Sequence, residues 1–231
     1  MLNKSIKRLN SYSGILGAPL IRQFTAKAVQ DPLPYPLNGL EPVLSEKLMD
    51  LHYNKHHHNY VLKYNEKIEL IQDAINQKDL KRAASYAKEL RFFGGGHYNH
   101  SFFWESLAPI KDGGGVIPVH ESELSVMVRQ SYGSFDNLID YTNAEASAIT
   151  GSGWAWLAYC KMSKNLEVRM TRDQNLLSDL QSDLIPLLNI DMWEHAWYPD
   201  YNYYKGEYLK NIWRVVNWHK VEQRLAAAKK L

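Results

Sequence analysis

Residues 187–198 constrain the fold more than any other stretch of the sequence, because an apolar run there ends in an acid and a histidine. The run up to Ile190 has the composition of a buried strand, and Asp191 and His195 follow it, four residues apart. A carboxylate and an imidazole can both bind a metal ion, but two protein ligands rarely hold one in water. Either the rest of the chain supplies further ligands, or the two side chains share a buried hydrogen bond.

The first 30 residues differ in composition from the rest of the chain. They carry five basic residues and no acid, and hydroxylated residues lie among apolar ones. This composition is typical of a mitochondrial import leader and predicts a protein of the mitochondrial matrix; a disordered basic tail is the alternative. Without these residues the Lys+Arg count falls from 27 to 22 against 25 acids, so the formal charge changes from +2 to −3. We therefore expect no nucleic-acid partner.

The remaining composition is that of an ordinary globular protein of one or two domains, with 45% hydrophobic residues. The sequence contains no apolar run of about 18 residues, so we expect no membrane span. Its one cysteine, Cys160, cannot form an internal disulfide and suits a reducing compartment.

Periodicity and turn residues predict a helical first half and a second half of mixed strands and helices. Helices are predicted at 46–77, 79–93, 97–104, 121–130, 134–150 and 205–229, and strands at 153–160, 166–170 and 184–192. The three glycines at 94–96 are predicted to end the second helix. Glycines and prolines in residues 108–118 predict the linker between two domains.

The first long helix carries polar side chains on a face that begins apolar. Leu48, His52, His56 and Tyr60 lie four residues apart, so an α-helix places all of them within about 120° of its circumference. Imidazole and phenol groups on a stripe that faces the core need a metal ion or a hydrogen-bond network.

Further histidines leave the set of ligands open. A run of histidines cannot point in one direction around a helix, so we expect His57 and His58 to face solvent. His97 and His100 follow the glycines three residues apart, and either could join His52. Three separate segments with histidines, including the end of the last strand, favour a metal site over isolated hydrogen-bonded side chains.

Four motifs, taken together and in order, are similar to one known family. Residues 51–57 read LHYNKHH, 94–101 read GGGHYNHS, 151–154 read GSGW and 191–196 read DMWEHA. This chain thereby resembles the iron/manganese superoxide dismutases, with similar order and spacing over residues 33–224.

The resemblance implies an α+β fold: an N-terminal helical hairpin domain, then an α/β domain whose three-stranded antiparallel sheet is flanked by helices. We expect the import leader at residues 1–30, the hairpin domain at 31–112 and the α/β domain at 113–231. The implied activity is that of an antioxidant oxidoreductase, which converts superoxide to dioxygen and hydrogen peroxide by redox cycling of one manganese or iron ion per chain.

The resemblance also implies residue roles. It assigns the metal ligands, which spacing left open, to His52, His100, Asp191 and His195, and we expect manganese rather than iron. The other implied site residues are the funnel-mouth groups Tyr60 and His56, the apolar wall Trp104, Trp154 and Trp193, and the twofold-interface residues Glu194 and Tyr198. The implied assembly is a homodimer or a homotetramer, in which Glu194 contacts the partner's His195 and Tyr198 contacts the partner's His56.

Two departures from the family pattern bear on activity. Many manganese members carry Gln where this chain has Thr150, and iron members supply a Gln from the position of Gly96. Neither residue has an amide, so we expect normal metal binding and slower turnover. The family's usual Arg-Pro is replaced near Lys205, which keeps the charge but not the forked donor geometry. The competing hypothesis is therefore a dismutase-like, low-activity or inactive subunit of a larger mitochondrial assembly.

Overall fold

One long helical rod forms the first arm of a hairpin in this computed structural model, which describes residues 27–231. The predicted leader lies outside the described residues except for residues 27–30. Helix α1 (Glu46–Met49) continues as a π-helical segment (Asp50–His57) and then as α2 (His58–Asn76). Ser45 caps the start, because its hydroxyl accepts a hydrogen bond from the backbone N–H of Leu48.

The π-helical segment corrects the predicted orientation of the histidine run. An α-helical period buries residues four apart, whereas a π-helix bonds residue i to i+5 and so brings residues five apart to one side. His52 and His57 are accordingly both fully buried, while His56 is exposed. The prediction that His57 faces solvent is therefore wrong; His58 is exposed as predicted.

Helix α3 (Leu80–Glu105) forms the second arm and runs without a break through the three glycines. The predicted helix end at 93 is wrong, because packing outweighs the low helix propensity of glycine here. A Cβ atom on Gly95 would lie 2.0 Å from the carbonyl oxygen of Gln174, and one on Gly96 would lie 2.4 Å from the ring of Tyr60. These glycines thus allow the backbone of Gln174 and the ring of Tyr60 to pack against α3, and they do not end the helix.

The second half begins with two helices and ends in a sheet with further helices. Serines 122 and 134 cap α4 (Glu123–Tyr132) and α5 (Phe135–Ser147). Strands β1 (Gly153–Cys160), β2 (Leu166–Arg172) and β3 (Leu184–Asp191) form an antiparallel sheet in the order β2-β1-β3. The predicted α+β fold with a three-stranded antiparallel sheet is confirmed. The domain boundary at residue 112 stays a prediction.

The C-terminal segment is not the continuous helix that the sequence predicts. Helices α6 (Tyr198–Tyr201), α7 (Lys205–Ile212) and α8 (Trp218–Ala228) are separated, the last two by a 3-10 turn and an extended residue. That residue, Val216, pairs with Leu107 as an isolated bridge, so a tertiary contact interrupts the helix. Within residues 27–231, no helix has the length and apolar character needed to cross a membrane.

We predict that Gly95→Ala destabilises the protein by about 1–3 kcal/mol, the usual cost of overpacking, because the blocking atom belongs to the backbone. The matched control is Gly206→Ala in α7, where an added Cβ meets nothing within 4 Å and should stabilise the helix by about 0.5–1 kcal/mol. Chemical denaturation of both variants measures the difference. Equal stability of the two would contradict this account of the glycines.

Candidate metal centre

Four side chains from four segments meet between the helical hairpin and the sheet. The π-helical segment supplies His52, α3 supplies His100, the end of β3 supplies Asp191 and a 3-10 turn (Glu194–Ala196) supplies His195. One potential ligand atom from each lies within 4.8 Å of all the others. The first three side chains are fully buried, and the side chain of His195 is 11% exposed.

The Asp191 carboxylate is the centre of this cluster. Its Oδ2 atom lies 3.1 Å from Nε2 of His52, 3.5 Å from Nε2 of His195 and 3.6 Å from Nε2 of His100. Among the described residues, Nε2 of His100 and of His195 have no hydrogen-bond partner although both are buried. Leaving such atoms unpaired costs free energy, so nitrogen atoms that converge on a carboxylate fit a bound cation.

The environment holds these groups in the protonation states that a metal ion needs. Burial lowers the pKa of His52 to about 4, although the hydrogen bond with Asp191 opposes this shift. Burial likewise lowers the pKa of His100 well below its ordinary value. For Asp191 burial favours the neutral form, but the neighbouring His195 and the hydrogen bond with His52 outweigh it and lower the pKa. Neutral imidazoles and an ionised carboxylate are the ligating forms.

Hydrogen bonds to other atoms fix the orientation of two ligands. Nδ1 of His100 lies 2.6 Å from the carbonyl oxygen of Gly96, to which it can donate, so Nε2 is left facing the cluster. Oδ1 of Asp191 accepts from the backbone N–H of Trp193 at 2.8 Å, so Oδ2 is left for the histidines. Both ligands are therefore oriented before any ion binds.

Comparison with known proteins agrees with this geometry. The alpha-hairpin domain model of the iron/manganese superoxide dismutases matches residues 29–108, and the C-terminal domain model of the same family matches residues 120–224. The chain belongs to the iron/manganese superoxide dismutase family.

Relatives named for manganese and relatives named for iron are both similar to this chain over most of its length. A mitochondrial manganese superoxide dismutase of Arabidopsis thaliana is 40% identical over 91% of this chain and 86% of its own length. An iron superoxide dismutase of Tetrahymena pyriformis is 42% identical over 85% of this chain and 99% of its own length. A mitochondrial manganese superoxide dismutase of Capsicum annuum is 43% identical over 80% of this chain and 81% of its own length. The four-residue cluster can hold the one metal ion expected for this family.

The three tryptophans expected to form an apolar wall lie next to the histidines of the cluster. The ring centroid of Trp104 lies 4.7 Å from that of His52, and the ring of Trp154 lies 5.1 Å from that of His100. Trp193 stacks on His195 at 5.4 Å. Each of these large rings therefore lies against one of the three histidines of the cluster.

The expected entrance residues lie at different depths. Tyr60 is 7% exposed, and its ring centroid lies 5.1 Å from that of His100. His56 is exposed and stacks on the ring of His195 at 4.2 Å, so both expected residues contact a ligand. Thr150 is different, because it is exposed in the turn before β1 and lies outside the buried cluster.

The interface residues implied by the resemblance are both on the surface of this chain. Glu194 is exposed next to His195, and Tyr198 is 48% exposed at the start of α6. Their side chains are therefore available to a second copy.

Sequence reasoning missed two buried side chains beside the ligands. His57 stacks on His100 at 5.4 Å, its Nδ1 accepts from Nε1–H of Trp104 at 3.0 Å, and its Nε2 lies 2.9 Å from Nδ1 of His97. An i+5 period through residues 52–57 would have indicated it. Gln174, which is 2% exposed, lies in a loop without any periodic signal.

We predict that His100→Ala abolishes stoichiometric metal binding, whereas His97→Ala retains about one ion per chain. His100 supplies a nitrogen atom to the cluster, and His97 instead contacts His57 behind it. Metal analysis of the two purified variants, three positions apart on one helix, measures the difference. Metal loss from His97→Ala but not from His100→Ala would reverse the ligand assignment.

Proposed function

We propose that this protein is a superoxide dismutase that converts superoxide to dioxygen and hydrogen peroxide with one manganese or iron ion per chain. The observation that carries the proposal is the buried cluster of His52, His100, Asp191 and His195, in which two imidazole nitrogen atoms have no partner among the described residues. Both metals change between the +2 and +3 states and so supply one-electron chemistry when bound.

The residues around the cluster support this chemistry. Two superoxide ions and two protons give one dioxygen and one hydrogen peroxide, so the chain must admit an anion and deliver protons while excluding bulk water. Burial raises the pKa of the Tyr60 hydroxyl above its ordinary value, against the effect of its hydrogen bond with Gln174, so the group stays a neutral donor. The exposed ring of His56 against His195 marks the side of the cluster nearest to solvent.

Measurement of superoxide consumption tests the function on the wild type and the two variants that test the ligands. Activity should be present in the wild type and His97→Ala, and it should be lost with the metal in His100→Ala. A fully metallated wild type that does not consume superoxide would overturn the proposal. The competing hypothesis of an inactive subunit has no support in the comparisons, since the relatives are named as superoxide dismutases.

The turnover rate tests whether Thr150 limits the activity. The sequence predicts slow turnover, because residue 150 has no amide, and it predicts that Thr150→Gln raises the rate. The exposed position of Thr150 supports the opposite expectation, which is that Thr150→Gln leaves turnover unchanged, because the substituted side chain lies outside the buried cluster. Steady-state kinetics at equal metal content compares the two proteins. A clear rise in rate would show that the missing amide at 150 limits this enzyme.

We further propose a mitochondrial matrix enzyme, because the acid-free basic segment of residues 1–30 precedes a chain whose relatives include mitochondrial dismutases. A reporter fused after residue 30 should enter mitochondria. A reporter that stays in the cytosol would contradict the proposal.

We also propose a homodimer, alone or as half of a homotetramer, in which Glu194 contacts the partner's His195 and Tyr198 contacts the partner's His56. Glu194 and Tyr198 are exposed, and His195 and His56 stack at the edge of the cluster. A carboxylate on a ligand imidazole fixes its orientation, and its removal costs about 10–100-fold in metal affinity.

Glu194→Ala should therefore lower both the assembled fraction and the metal affinity, as measured by sedimentation and by competition with a chelator. The control is Glu145→Ala, which removes an exposed acid from α5 and should change neither quantity. A monomeric wild type that holds a full complement of metal would refute the proposed contact.

A further inference from the structure

We infer that the import leader is cut before Lys27, and that residues 27–31, here called the strap, remain in the mature protein and hold the helical segment that carries His52. Composition alone predicts a boundary at residue 30, because Asp31 is the first acid of the chain. The inference rests on the proposed mitochondrial import and does not depend on the proposed activity. It follows from specific contacts between the strap and the first arm of the hairpin.

The strap turns alternate residues toward the hairpin. Ala28 and Gln30 are half-buried, whereas Lys27, Val29 and Asp31 are exposed. A period of two is that of an extended chain that lies with one side on a surface. The strap therefore has an inner side, which makes its contacts, and an outer side.

Both backbone hydrogen-bonding groups of Ala28 are paired with one side chain of α2. The N–H of Ala28 donates to Oδ1 of Asn65 at 2.8 Å, and Nδ2 of Asn65 donates to the carbonyl oxygen of Ala28 at 2.9 Å. The side-chain amide thereby makes the pair of bonds that a residue of a neighbouring antiparallel strand would make. A cut after residue 30 would leave both groups of Asn65 without these partners.

Gln30 joins the strap to the π-helical segment. Its Nε2 donates to the carbonyl oxygen of Tyr53 at 2.9 Å, and its Oε1 lies 3.0 Å from Nδ1 of His58. An amide oxygen can only accept, so Nδ1 of His58 is the donor. Tyr53 directly follows His52, and its hydroxyl donates back to the carbonyl oxygen of Asp31 at 2.7 Å. The strap therefore binds both the backbone and the side chain of the residue next to this candidate ligand.

The end of the strap lies beside the buried ring of His57. Nε2 of Gln30 lies 3.3 Å from Nδ1 of His57, which in turn stacks on His100. Asp31 and Trp104 line a cavity that reaches the same ring. A cut after residue 30 would place an α-amino group, which is largely charged at neutral pH, on Asp31 at this cavity instead of a neutral peptide group. The contacts of the strap thus belong to the folded enzyme rather than to a removable leader.

The position of the cut is tested on the wild type. The full-length precursor is imported into isolated mitochondria, and mass spectrometry determines the N-terminus of the processed chain. We expect the processed chain to begin at Lys27 or at a residue before it. A chain that begins at Ala28 or later, or an imported precursor that is not cut, would overturn the inference and leave the proposed location and activity intact. A precursor that stays outside mitochondria would overturn the proposed location together with the inference.

The role of the strap is tested with Asn65→Ala and Gln30→Ala in the processed chain. Each substitution removes two hydrogen bonds and should lower the melting temperature by about 4–8 °C, the usual effect of two such bonds in a chain of this length. Gln30→Ala should also raise the rate at which a chelator removes the metal about 10-fold, the smaller end of the range for groups that support a metal ligand.

The matched control is Val29→Ala, which truncates a strap side chain that is 72% exposed and should change neither quantity. A wild-type melting temperature and a wild-type rate of metal loss in both variants would show that the strap holds nothing, and would overturn the inference. The same result in Asn65→Ala alone would do so if Gln30→Ala does not fold. None of these measurements uses superoxide, so an inactive wild type would overturn the proposed activity alone.

Discussion

A buried carboxylate is the constraint on which the rest of this structure depends. Asp191 is fully buried, and an ionised acid is costly there unless cations or hydrogen-bond donors surround it. Imidazoles from the first helix, from α3 and from the turn after β3 surround its Oδ2 atom. Because those segments lie far apart in the sequence, the cluster joins the hairpin to the sheet. The same arrangement that satisfies the acid creates a site for a metal ion, so stability and function depend on the same contacts.

The sequence predicts best where a local signal and the tertiary structure agree. The strand positions follow from the alternation of neighbouring residues and the α+β fold from the family resemblance, and the structure confirms both. The errors arise where a long-range contact overrides a local preference. The glycines at 94–96 stay helical because Tyr60 and the backbone at Gln174 pack against them, and the C-terminal helix is broken where Val216 pairs with Leu107.

Some residues of the candidate site could be predicted from the sequence, and others could not. The four candidate ligands could be proposed from the sequence because each lies in a motif that resembles the family, and the structure brings all four side chains together. The groups behind them could not be assigned. The burial of His57 depends on a change of helical period, and the position of Gln174 depends on a loop that no periodic pattern describes. The chemistry of a metal ion restricts which residue types can bind it. A group that orients such a residue can come from any residue type that reaches hydrogen-bond distance of it.

Gln174 illustrates how a side chain from a loop comes to lie beside the cluster. The Nε2 group of Gln174 donates to the Tyr60 hydroxyl oxygen at 3.0 Å, and its Oε1 accepts from Nε1–H of Trp154 at 3.1 Å. The turn at Asp173 directs the side chain of Gln174 inward. The missing Cβ of Gly95 leaves space on α3 for the backbone carbonyl of Gln174. Thr150 is exposed, and Gly96 leaves space for the tyrosine ring. The absence of an amide at positions 150 and 96 therefore does not leave the surroundings of Tyr60 without one, because the buried amide of Gln174 lies beside its hydroxyl.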